Sequence, residues 1–278
     1  MKQYVDLHLH TTCSDGKKTP SEVLDIVRKK NLVAFSITDH DSLDGYFAVR
    51  KLLKQGDPEL IPGIEFSVSF EGGDLHLLAY DFDPDDKAIN ERLSHFQVNR
   101  NKRAQLMVKK LNELGLNISF EMVEKFAEGA SIGRPHVAQA IFESGAVKEY
   151  ETAFAKYIGN NKPGYVPKTN FSPQEAIALI KNSNGVAIMA HPVIDNNERF
   201  IEMMVKYGLD GIEVYHPYHK QRDTDRLKSL AERFRLIVSG GSDYHGRENR
   251  YGSIGSQKVP ISCFENIKRI TQKRRESN

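Results

Sequence analysis

Residues 4–16 read YVDLHLHTTCSDG, and this stretch decides the fold. Val5, Leu7 and Leu9 alternate with Asp6, His8 and His10, the period of a β-strand whose successive side chains project to opposite faces. Asp6, His8 and His10 therefore share one surface, where two imidazoles can hold one metal ion. Asp15 falls in the loop just beyond, within reach of a neighbouring ion. Taken alone, the pair could equally be two unrelated strand histidines.

Outward from this strand the chain alternates apolar runs with helical segments. A helix is expected from Pro20, where Thr19 offers an N-cap, Pro20 a first-turn proline and Glu22 a capping-box acid. LVAFSIT (32–38), a helix near 45–54 and LIPGIEFSV (60–68) follow. Ser172, Pro173 and Glu175 repeat the capping device. A helix to about Asn182, GVAIMA (185–190), a helix near 198–206, GIEVY (211–215), another helix and LIVSGGS (236–242) then follow. Such alternation predicts βα units on a mainly parallel sheet. Residues 89–167 differ: long charged stretches such as INERLSHFQVNRNKRAQLMVKKLNEL carry no convincing strand. They are expected to form a helical insertion between barrel segments 1–88 and 168–278. The terminal KRITQKRRES (268–277) reads as a solvated helix end that frays.

Candidate ligands recur at comparable places. His40 ends LVAFSITDH, Glu65 follows PGI, His191 ends VAIMAH, and Asp243 and His245 follow LIVSGGS. All read as strand C-termini, the face on which α/β barrels assemble active sites. His76 is the exception, because it begins LHLLAY instead of ending it; a reversed hairpin strand would account for it. Six histidines and three carboxylates exceed the needs of one ion and suit two or three, with Glu65 as the bridge. Three carboxylates leave such a cluster net positive, which favours phosphate ester chemistry over amide hydrolysis. The nucleophile expected is a metal-held hydroxide, since coordination lowers the pKa of water from 15.7 to about 7, and no serine or cysteine nucleophile is required.

Composition narrows the alternatives. With 278 residues, 39% hydrophobic and 27% charged, the chain is globular in character. Its two cysteines, Cys13 and Cys263, form no CxxC, so a metal must use nitrogen and oxygen ligands. A formal net charge of +2 does not by itself imply nucleic-acid binding. No run approaches the roughly 20 apolar residues of a membrane span, and the first residues show no signal-peptide pattern, so a cytoplasmic protein without membrane association is expected. No feature calls for an obligate protein partner.

In order, DLHLHTTCSDG, ITDHDS, GIEFS, HLLAYDF, AHP and GSDYH resemble the PHP (polymerase and histidinol phosphatase) family. The resemblance implies a distorted seven-stranded (β/α) barrel around a trinuclear site, with manganese foremost and zinc or iron as alternatives. Carried across, it implies His8, His10, Glu65 and Asp243 around one ion, Glu65, His76 and His191 around a second, and Asp15, His40 and His245 around a third. Asp6 and Asp39 are candidates to orient histidines, or else bond locally. The block SIGRPHVAQAI (131–141) brings the insertion closest to stand-alone bacterial members that resemble nucleoside 3′,5′-bisphosphate phosphatases and RNA 5′-end exonucleases. A nucleotide or short RNA is then the expected substrate, attacked at the 3′-phosphate or from the RNA 5′ end.

Further candidates follow from position. Arg134, at the start of a predicted helix, reads either as a grip on a second phosphate or as an ordinary surface ion pair or helix-start contact. Lys17 could attract phosphate, and His216 could pass a proton to the leaving group. Arg92, Arg100, Lys102, Arg103, Lys109 and Lys110 read as a solvated face or as a track for an RNA backbone, with Tyr165 or Phe171 stacking a base. Competing readings are a histidinol-phosphatase-like or general small-molecule phosphatase, amidohydrolase chemistry on amides or lactones, and a non-catalytic PHP module.

Overall fold

The computed structural model describes residues 3–70, 73–127, 132–167, 171–246 and 252–277. Two compact units are present: Met1–Glu91 with Asn170–Asn278, and Arg92–Thr169. The first carries strands β1 (Tyr4–Leu9), β2 (Leu32–Ile37), β3 (Glu59–Phe70), β4 (Gly73–Tyr80), β5 (Val186–Met189), β6 (Gly211–Tyr215), β7 (Ile237–Gly240) and β8 (Val259–Pro260). Their order in the sheet is β7-β6-β5-β4-β3-β2-β1-β8. The sheet has eight strands where seven are expected. The addition is the two-residue β8, antiparallel to β1 through Tyr4↔Pro260 and Val5↔Val259, too short to leave a periodic signal. After β7, Tyr244 bridges Leu9 and its carbonyl accepts from His10 N at 3.0 Å, so the sheet is nearly closed into a barrel.

β1, β2 and β3 run parallel to one another, as do β5, β6 and β7, but β4 is antiparallel to both β3 and β5. This reversal accounts for His76, which pairs with Ser67 near the start of β4 and so reaches the same end of the barrel as residues that close other strands. Glu65 departs from expectation: β3 continues through Phe70, so Glu65 lies inside the strand, bridged to His40 beyond the end of β2.

β1 shows why these residues make this fold. Val5, Leu7 and Leu9 are fully buried in apolar clusters, while Asp6, His8 and His10 on the alternate positions are buried as well. Thr19 caps the helix Pro20–Arg28 as the sequence predicts, accepting from Glu22 N while Glu22 accepts from Thr19 N. That helix lays Val23, Leu24 and Val27 on the barrel wall. Ser172 and Glu175 cap Pro173–Asn182 in the same way. The terminal helix Ile261–Ser277 is anchored rather than frayed: Arg274 donates to Asp210 at 2.6 Å and to the Gly185 carbonyl, and Thr271 donates to Asp81 at 2.5 Å. A basic run in sequence does not reveal that its acceptors wait in distant loops. Among the described residues no helix is long and apolar enough to cross a membrane.

The second unit is helical in its described residues. The helix Lys87–Glu113 enters it from the first unit, followed by Phe120–Ala127, Arg134–Glu143, Tyr150–Ala153 and a π-helical turn Phe154–Ile158. Ala104, Met107, Val108 and Leu111 repeat at helical spacing and meet Val123, Val137, Ile141 and Ile158 in one core. Three of the basic residues hold main chain: Arg103 donates to Val166 O at 2.8 Å, Lys110 to Tyr165 O at 2.9 Å and Arg100 to Ile132 O at 3.2 Å. Lys168, where the sequence places the return to the barrel, and Ser131, which opens SIGRPHVAQAI, lie outside the described residues.

Candidate metal centre

All nine sequence-designated ligands converge in the barrel unit. Glu65, 1% exposed, is the hub. Its Oε2 lies 3.2 Å from His8 Nε2, 3.1 Å from His10 Nε2 and 3.3 Å from His40 Nδ1. Its Oε1 lies 2.8 Å from His76 Nδ1 and 3.0 Å from His191 Nε2. Asp243 Oδ1 approaches His8 and His10 at 3.4 and 3.2 Å, and Asp15 Oδ1 approaches His245 at 3.2 Å. His40, Glu65, His76, His191, Asp15, Asp243 and His245 open onto a cavity of about 470 Å³, whose remaining lining is Val193, Ile194 and Tyr218.

Three groupings have ligand atoms mutually within 4.8 Å: His8, His10, Glu65 and Asp243; His10, Asp15, His40 and His245; and His40, Glu65 and His76. The first reproduces the expected set. In the second, His10 joins the expected Asp15, His40 and His245; in the third, His40 stands with Glu65 and His76 where His191 is expected.

The donor atoms suit cations better than one another. Both ring nitrogens of His10, Nδ1 of His40 and of His191, and Oδ1 of Asp15 are buried without a hydrogen bond, although carboxylates or imidazoles lie close by. His10, Asp15 and His40 belong to the groupings above, whose ligand atoms lie close enough to share an ion. Buried polar atoms are otherwise nearly always paired, so this many orphans in one place mark a cation site. With nitrogen and oxygen donors only, the cluster is able to bind divalent metals.

Charge distribution agrees. Burial opposes ionisation of Glu65, Asp243 and Asp15, yet the surrounding imidazoles hold all three well below the usual carboxylate range. Burial likewise opposes a charge on His10, but the Asp243 and Glu65 carboxylates beside it carry it up to about 10. His40 goes the other way, since burial outweighs the pull of Glu65 and Asp15 and lowers it to about 3.

Outer residues fix this arrangement. Glu213, which the sequence reading missed, places Oε1 2.9 Å from His8 Nδ1 and accepts from His191 N at 2.8 Å. It thereby turns His8 Nε2 toward Glu65, the familiar way a carboxylate sets an imidazole ligand. Only its place in GIEVY, on the inward face two residues before the strand ends, could have signalled it. His245 is set by the Asp243 carbonyl, 2.8 Å from its Nδ1. Asp6 and Asp39 orient no imidazole. Asp6 accepts from Ser242 N and Gly255 N, and Asp39 from Thr11 and Ser14, so both hold ligand-bearing loops. His191 and Asp243 have φ of 25° and 47°, left-handed values that cost non-glycine residues about 1–3 kcal/mol and cluster at functional sites.

The other candidates separate. His216 is buried beside Asp243, Nε2 to Oδ2 at 3.3 Å, while its Nδ1 accepts from Tyr218 N at 3.3 Å. Lys17 is exposed on the Asp15 loop, and its N–H donates to His245 O. Arg134 opens its helix in the second unit, donating to Asn160 at 2.8 Å beside the Tyr165 ring. Phe171 is corrected as a base-stacking candidate, because it is 1% exposed and packed on Phe66.

A buried imidazole–carboxylate cluster at the mouth of an α/β barrel defines a metal-dependent phosphoesterase. The chain belongs to the PHP domain family, which matches residues 6–162. It is 33% identical over 267 residues to a 3′,5′-nucleoside bisphosphate phosphatase of Chromobacterium violaceum, covering 93% of each chain. It is 30% identical to the 5′-3′ exoribonuclease Rnm of Escherichia coli over 86% of this chain and 84% of that one. A Bifidobacterium adolescentis structure described as a metal-dependent phosphoesterase superposes with a TM-score of 0.86 at 29% identity, covering 96% of each chain. The protein is accordingly an enzyme, a phosphoric ester hydrolase.

Proposed function

We propose that this enzyme removes the 3′-phosphate from nucleoside 3′,5′-bisphosphates and, with the same centre, releases nucleotides from the 5′ end of short RNA. The observation that carries the reading is Glu65 reaching five imidazoles with its two oxygens, with only Asp15 and Asp243 as further carboxylate ligands. Two or three dications there keep a net positive charge that draws a phosphoryl group. The names of the Chromobacterium and Escherichia relatives support a nucleotide or RNA substrate. A cytoplasmic setting belongs to the same proposal.

His8, His10, Glu65 and Asp243 would hold one ion, Glu65, His76 and His191 a second, and Asp15, His40 and His245 a third, with manganese first and zinc or iron as alternatives. When bound, such ions supply Lewis acidity toward a phosphoryl oxygen and acidify a coordinated water. Glu213 keeps His8 presenting Nε2. His216 receives a proton-free Nδ1 role from Tyr218 N–H and directs its Nε2–H to Asp243, so it is read as a positioning residue rather than a proton donor. Arg134 takes the second phosphate and Lys17 helps to attract the anion.

The test is phosphate release from adenosine 3′,5′-bisphosphate by metal-stripped protein reconstituted with Mn²⁺, Zn²⁺ or Fe²⁺, with histidinol phosphate as competitor. Metal-dependent AMP formation, abolished by His191→Ala and weakened by Arg134→Ala, is expected. Turnover of histidinol phosphate or simple esters in preference to the nucleotide would overturn the substrate assignment.

A further inference from the structure

The cavity above the cluster has two kinds of wall. Seven of its lining residues are metal-type ligands, and the other three, Val193, Ile194 and Tyr218, are apolar or aromatic. All three follow strands of the barrel: Val193 and Ile194 lie just after His191 at the end of β5, and Tyr218 lies just after β6 in YHPYH. Tyr218 is 46% exposed, one of few large hydrophobic side chains so open among the described residues. Its ring centroid is 5.7 Å from that of His216, and His216 touches the ligand Asp243. One buried side chain therefore separates an open aromatic ring from the centre.

A phosphate ester seated on the cluster must place its organic part against something. The ligand wall is charged and polar, so among the described residues the apolar surface this cavity offers the organic part is that of Val193, Ile194 and Tyr218. A flat heteroaromatic group gains most there, because an aromatic ring stacks on any base and exposes little polar surface in doing so. Resting on the nucleotide reading above, we infer that Tyr218 is the stacking platform for the nucleobase next to the scissile phosphate, with Val193 and Ile194 flanking it. It sets preference for a nucleoside over a base-free phosphate ester and takes no part in the bond-breaking step. Among the described residues this wall is Val193, Ile194 and Tyr218, which supply contact surface rather than a set of base-edge hydrogen bonds, so all four bases are expected to be accepted.

The experiment compares wild type with Tyr218→Ala and Tyr218→Phe on adenosine 3′,5′-bisphosphate and on ribose 3,5-bisphosphate. Tyr218→Ala is expected to raise KM for the nucleoside substrate about tenfold more than for the base-free one, with Tyr218→Phe close to wild type, the scale of a lost stacking contact. Equal changes on both substrates, or a Phe variant as impaired as Ala, overturns the inference. A second readout needs no turnover. The fluorescence of 2-aminopurine riboside 5′-monophosphate is expected to be quenched on binding to wild type and Tyr218→Phe, but not to Tyr218→Ala. Quenching independent of Tyr218 sinks the platform even if the nucleotide is hydrolysed. Tyr218-dependent quenching without hydrolysis of any nucleotide upholds the platform and removes the nucleotide-phosphatase reading.

Discussion

The barrel unit and the helical unit bury different chemistry. Among the described residues every buried polar or charged side chain belongs to the barrel, from Asp6 and His8 to Asp243 and Thr271. Between residues 92 and 167 the buried side chains are apolar throughout, led by Leu111, Val123, Val137 and Ile141. Burying polar groups without full pairing is costly, and in the barrel that cost gathers at the place where cations would complete the pairing. The helical unit is held by packing, with arginine and lysine used to tie carbonyls. The candidate metal ligands thus belong to one unit, and each unit should fail in its own way.

The largest effect should come from Glu65→Gln. Removing the charge that five imidazoles face is expected to lower kcat/KM by more than about 100-fold and to deplete bound metal, checked by kinetics beside elemental analysis. Full metal content with full activity would break the assignment of Glu65 as hub. Leu111→Ala addresses the other unit: a cavity in an apolar core should cost about 2–5 kcal/mol in chemical denaturation while metal per chain stays constant. Loss of metal from this variant would mean that the two units are not separable in this sense. Glu213→Gln should weaken metal affinity by about 10–100-fold, measured by chelator competition, because His8 loses the carboxylate that sets its ring.

The smallest effect is a proton count. Because the His10 pKa is raised to about 10 in the metal-free protein, against an ordinary value of 6.5, the ring is protonated at pH 8. The sign is that of a raised group: its contribution to stability is complete below pH 6.5 and disappears as pH climbs through about 10. Metal uptake at pH 8 must therefore expel a proton, and calorimetric heats should vary with the ionisation enthalpy of the buffer. Heats that are the same in every buffer would show that His10 is already neutral.

Much of this division was legible in the sequence. The nine candidate ligands stood out because most end strands of apolar residues, where an isolated histidine has little other reason to recur. His76 broke that pattern, and the reversal of β4 explains why. Glu213 stayed hidden because an acid inside GIEVY looks like the ordinary polar phase of a strand; only the closure of the barrel shows that this phase faces His8. The anchoring of Arg274 was hidden for a related reason: Gly185 and Asp210 are brought to it by tertiary folding alone. Phe171 was misread because a phenylalanine next to a predicted insertion border looks accessible until Phe66 is seen against it.

The near-closure of the sheet has a consequence for how the protein is made. β1 emerges first, but its outer partners are β8 and the segment around Tyr244, and Asp6 bonds to Ser242 across 236 residues of chain. At ~5–20 residues per second, a ribosome takes on the order of 10–50 s between delivering the first histidine pair and delivering the aspartate that faces it. For that interval His8 and His10 sit on an unsealed strand edge, able to meet metal before Glu213 and Asp243 complete the carboxylate set. Slow, late sealing of this kind is the burden of contacts distant in sequence, and it makes the nascent chain most vulnerable to mispairing just before its last strands appear.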